Sequence, residues 1–187
     1  TVLLCGLWWV PFFFGAFTEH DFTEVDAALH DMYMKWWKQN GREEQTKVIR
    51  GELTMPFGDR DHPFLKLKAG KTRSFLGFVV HLLKNAGGSA LLGLDGRRLQ
   101  TFGDGMLEFY SICKSQPRKM DEAALIHMDA VVKRTMGAWV DSGRTVTIKF
   151  HAFARHIVDQ ARFAGNPLWT HNYADESENF GQRNMSV

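Results

Sequence analysis

DEAALIHMDAVVKRTMGAWV, residues 121–140, is the stretch whose reading decides the fold class. Leu125, Met128, Val132, Met136 and Trp139 recur at three- and four-residue intervals, the period of a helix that buries one face. Asp121 stands just before that series, where a short carboxylate accepts hydrogen bonds from first-turn amides. The stretch predicts a capped helix from Asp121 to about Val140, and its neighbours read the same way.

Downstream, Gly143 turns the chain, and TVTIKF at 145–150 predicts a brief strand. A long helix is expected over Phe150 to Phe163, ended by Gly165 with Pro167 beyond it. Upstream, Pro117 ends a segment from Ser89 to Ser115 that carries Gly93, Gly96, Gly103 and Gly105. Each glycine costs about 1 kcal/mol against alanine in a helix interior. Either close packing requires them, or the segment is two short helices. LKLKAGKTRSFLGFVVHLLKN, residues 65–85, predicts another helix with Phe75, Leu76, Val79, Val80, Leu82 and Leu83 on a wide apolar face, broken by Gly87 and Gly88. A first helix is expected over residues 23–39, capped by Thr23, striped by Val25, Leu29, Met32 and Trp36, and ended by Gly41. Trp36 and Trp37 point about 100° apart, so they cannot both face one core. Glu43 to Leu53 reads as a short helix and MPFGDRDHP, residues 55–63, as a loop. The sum is a mainly α chain: a single irregular helical bundle over residues 1–187, of about five to seven helices with room for one or two short strands.

Composition bounds the function. The 44% hydrophobic and 24% charged fractions are those of an ordinary globular chain. Fifteen Phe and six Trp must be largely buried or used at an interface. A net charge of +2 gives no general pull toward nucleic acid, which would need a local basic cluster. Cys5 and Cys113 are too few and too far apart for a disulfide framework or structural zinc, and read as thiols in a reducing, intracellular setting. The uncharged opening run at 1–17 is interrupted by Pro11 and Gly15 and falls short of a spanning helix. It reads as a buried segment of a larger polypeptide, and a membrane is not the favoured partner. The chain does not begin with Met, and the expectation is a fragment whose upstream part belongs to the same polypeptide.

Ala69-Gly70-Lys71-Thr72 imitates the tail of a phosphate-binding loop. The pattern requires glycine where this chain has Leu65, and only glycine lets the backbone curl around phosphate there. His20, Asp21, Glu24 and His30 read as polar groups at a helix start. His151 and His156, five apart on one helix, are rotated by about 140°, whereas two helix histidines sharing a metal usually stand four apart. Lys66, Lys68, Lys71 and Arg73 load a helix start against its dipole, which makes them candidates for an anionic partner together with Arg155 and Arg162.

The closing segment, 145–187, differs in kind. Lys149-x-His151, an amphipathic helix carrying His156, then Asn166-Pro167-Leu168-Trp169-Thr170-His171 and Glu176-x-x-Asn179 run in an order that resembles the end of transposase-like proteins of eukaryotic mobile elements. Asn166 replaces the glycine usual in that family, and Asp175 an aromatic residue. The resemblance implies a ribonuclease H-like strand-transfer enzyme in which three carboxylates hold two Mg2+ or Mn2+ ions, hard cations that prefer oxygen ligands. It makes Glu176 the last metal-binding and catalytic carboxylate, with Lys149, His151, His156, Trp169, His171, Asp175 and Asn179 in support. The two aspartates before it would come from strands further upstream, DNA would be the substrate, and the location nuclear. Two other readings stand beside it: a non-enzymatic helical module of a mobile element or virus that binds DNA or protein, and a helical protein attached to a membrane through residues 1–17.

Overall fold

In a computed structural model, the described residues are 22–40, 69–85, 93–143, 146 and 148–170. Helix accounts for 89% of them and no strand occurs among them, so the chain is mainly α. The elements are α1 (Phe22–Asn40), α2 (Ala69–Asn85), α3 (Gly93–Ser115), α4 (Glu122–Asp141), α5 (Ile148–Ala164) and the single turn α6 (Pro167–Thr170). The opening run at 1–17, the short helix expected over Glu43 to Leu53, the loop at 55–63 and the end of the closing segment lie outside the described residues. None of the described helices is long and apolar enough to cross a membrane.

Contacts cluster into two units, Thr1–Gly103 and Asp104–Val187, so that the boundary falls within α3. In the first unit an aromatic cluster joins α1 to α2. Tyr33 is wholly buried. Its ring meets Phe75 at 5.9 Å and Phe78 edge-on at 5.5 Å, and its hydroxyl shares a 2.9 Å hydrogen bond with Ser74 Oγ. That bond lets a polar tip enter the core without loss. All six apolar residues expected on the α2 face are buried. In α1 the anchor is Tyr33 and not its neighbour Met32, which is 38% exposed. Trp36 packs on Phe78 at 5.9 Å, and Trp36 and Trp37 are both half-buried. α1 already includes Phe22, so Thr23 lies inside its first turn and not ahead of it.

In the second unit α4 is the central helix. Asp121 caps it as expected, accepting a 2.7 Å bond from the Ala124 amide. Leu125, Met128, Val132, Met136 and Trp139 are buried. Trp139 stacks on Phe150 of α5 at 4.5 Å, and Phe109 meets Phe153 edge-on at 5.0 Å. The expected strand at 145–150 is overturned, because Ile148 to Phe150 form the first turn of α5. Burying Phe150 on Trp139 rewards helix over the β propensity of Ile148.

Two glycines of α3, Gly103 and Gly105, serve packing. The helix is continuous, which excludes the reading as two short helices. A Cβ on Gly103 would stand 2.5 Å from Val80 Cγ2, and one on Gly105 would collide with Thr135 Oγ1. Thr135 cannot yield easily: it is fully buried, β-branched, and its hydroxyl donates to the Val131 carbonyl at 2.6 Å.

Candidate functional site

The described part of the closing segment is α5, the turn after it and α6. Gly165 ends α5 with φ +95, a left-handed conformation suited to glycine, and its would-be Cβ faces the Arg118 carbonyl at 2.5 Å. The next residue, Asn166, is wholly buried and locks the turn down. Its Nδ2 donates to the carbonyls of Cys113 (2.6 Å), Gln116 (2.9 Å) and Pro117 (3.3 Å). Those carbonyls lie at and just beyond the α3 terminus, where no helical amide remains to satisfy them. Its backbone amide donates to Arg118 O at 2.7 Å, and its Oδ1 accepts from the Leu168 amide at 3.1 Å. Asparagine at the cap with proline in the first position is a favoured start for a helical turn. One side chain therefore closes α3 and opens α6. Where the resembling family has glycine, this chain has a residue whose side chain binds backbone groups on both sides of the turn.

From that anchored turn Trp169 projects outward, 63% exposed, and Phe163 in the last turn of α5 is 93% exposed. His151 and His156 are both exposed, and their rings meet edge-on with centroids 5.7 Å apart. The rotation expected from their spacing is thus overcome by side-chain reach, which sequence spacing alone does not register. Among the described residues no three His, Cys, Asp or Glu side chains gather as a metal-binding group. Lys149 lies in the first turn of α5.

Arg73, in α2, is half-buried and belongs to the first unit, while Arg155 and Arg162 belong to the second. Lys71 lies on α2, and Lys66 and Lys68 fall outside the described residues. Arg155 is exposed, one turn from His151, and makes no ion pair among the described residues. Arg162 is committed: it pairs with Glu122 at 2.9 Å and Asp159 at 3.4 Å, and the Glu122 hydrogen bond pushes its pKa further up. His171, Asp175, Glu176 and Asn179 lie outside the described residues.

One polar cluster had no signal in the sequence. Glu108 on α3 accepts from His127 Nε2 at 2.9 Å with one carboxylate oxygen and from Arg134 at 2.5 Å with the other. An ionised carboxylate only accepts, so the His127 proton sits on Nε2. The His127 bond, offset by partial burial and reinforced by Arg134, holds the Glu108 carboxyl below its ordinary value. Its members are 19 and 26 residues apart, beyond any helical spacing. Cys113 is buried, and burial pushes its thiol up to about 12.

No family model matches the chain, and no curated protein or solved structure does either.

Proposed function

We propose that the chain is the closing helical part of a transposase-like strand-transfer protein of a mobile element, with Glu176 as the last carboxylate of a Mg2+- or Mn2+-binding set. The observation that carries this is the role of Asn166. The turn bearing the Asn166-Pro167-Leu168-Trp169 resemblance is fastened to the α3 terminus by one buried side chain. A turn held on both sides is a rigid support for the segment after it, and a metal-binding carboxylate needs such support to hold its position. Glu176 follows Thr170, the last residue of α6, by six positions. The other two carboxylates would be the aspartates that the resemblance implies.

Glu176 and the two implied aspartates would hold the cations, whose chemistry would be activation of the attacking oxygen and stabilisation of the leaving one. The role left to α5 is to position DNA, and exposed Arg155, His151 and Trp169 suit phosphate and base contact. The test is metal-dependent strand cleavage by the polypeptide carrying all three carboxylates. Glu176→Gln should abolish cleavage while leaving helix content unchanged, and normal cleavage in that variant would sink the assignment.

A second reading is a non-enzymatic module that binds DNA through the outer face of α5. Arg155, exposed and without an ion pair among the described residues, favours it. It predicts salt-dependent DNA binding by this chain that Arg155→Ala weakens and Glu176→Gln leaves alone.

A further inference from the structure

The solvent face of α4 alternates small and large residues, so that its reversal sets large against small. Ala123, Ile126, Ala130, Lys133, Gly137 and Val140 form one exposed stripe along this helix. Ile126 is 61% exposed and Val140 54% exposed, both large for an outer face. Nothing lies within 4 Å of a Cβ built on Gly137. Laid antiparallel against its own image, with a two-fold axis between Ala130 and Lys133, the helix sets Ile126 over Gly137, Val140 over Ala123, and Ala130 beside Lys133. Each large apolar side chain then meets a small residue, the complementarity that close helix packing needs. A two-fold contact uses one patch on both copies, so the patch must be complementary to itself.

The charges follow the same register. Asp129 and Lys133 lie on the flank of the stripe that faces α5, marked by the Glu122–Arg162 pair, and within one chain they bond at 2.6 Å. In the antiparallel arrangement this flank meets the same flank of the other copy reversed, so Asp129 of each copy faces Lys133 of the other. On the opposite flank His127 and Arg134 are already held by Glu108. From this self-complementarity of shape and charge we infer that the outer face of α4 docks a second copy of this chain as an antiparallel, two-fold dimer.

The experiment is sedimentation of the whole chain over a concentration series, for wild type and Gly137→Leu. Open space at Gly137 and the better helix propensity of leucine keep the α4 fold intact or firmer. In the dimer the same leucine collides with Ile126 of the second copy. The proposal expects wild-type dimers and a dissociation constant raised about tenfold or more by Gly137→Leu, with unchanged circular dichroism. Charge reversal is the second arm: Asp129→Lys and Lys133→Asp should each weaken self-association, and an equimolar mixture should restore it, because the reversed charges then face each other across copies. A chain that stays monomeric to about 100 µM overturns the proposal. So does a dimer indifferent to Gly137→Leu, or a mixture no tighter than its components.

Discussion

Asn166 shows how a single polar side chain carries a junction. Two amide hydrogens shared among three carbonyls, with the side-chain oxygen on Leu168 N, leave none of its polar atoms idle in a dry site. Asn166→Ala strands those carbonyls and the Leu168 amide. The expected loss is about 2–3 kcal/mol of folding stability, read from the shift of the urea midpoint at unchanged slope. Asn166→Gly, the residue usual in the resembling family, should lose nearly as much, since glycine also lacks the amide. Cys113 provides a second check at this scale. With its thiol pushed up to about 12 by burial, it should resist alkylation in the folded protein and label only in denaturant, as followed by peptide mass mapping.

Two glycines decide how α3 meets its neighbours, and the Glu108 clasp ties it to α4. Gly105→Ala would gain helix propensity, yet its methyl drives into buried Thr135, so the net effect is a loss of about 1–3 kcal/mol by thermal or urea unfolding. The clasp gives a pH dependence of definite sign. Because the Glu108 pKa is lowered in the fold, its stabilisation is fully present above the ordinary carboxylate value and is lost as pH falls through the lowered one. The carboxylate is 36% exposed, so solvent screening keeps the effect below about 1 kcal/mol. Glu108→Gln should flatten that acid limb of the urea-midpoint profile and leave the profile near neutrality with the same shape. The periodic stripes of α2 and α4 and the Asp121 cap were legible in the sequence, since each depends on neighbours three or four residues away. The Glu108 clasp was not, and neither was the Asn166 lock, because both join residues far apart in the chain. The strand expected at 145–150 failed for a related reason: β propensity is local, whereas the Trp139–Phe150 stack that favours helix is tertiary.

At the scale of the whole molecule, the described residues are mainly helical, those of the second unit run to a fastened turn, and the proposed chemistry belongs to the segment just after it. On that proposal Phe163 and Trp169, exposed on either side of that turn, would offer aromatic faces to a bound strand, and Arg155, without an ion pair among the described residues, would supply charge. On the proposed reading, α5 and α6 would hold DNA and Glu176 would hold metal. Arg155→Ala should therefore weaken DNA binding and reduce its salt dependence by about one counterion without altering the metal requirement. The central claim is the carboxylate. It is tested most directly by measuring Mn2+-dependent cleavage of end-labelled DNA by the polypeptide that carries all three carboxylates, wild type against Glu176→Gln. The account predicts that cleavage disappears while DNA binding persists, whereas undiminished cleavage by Glu176→Gln would contradict it.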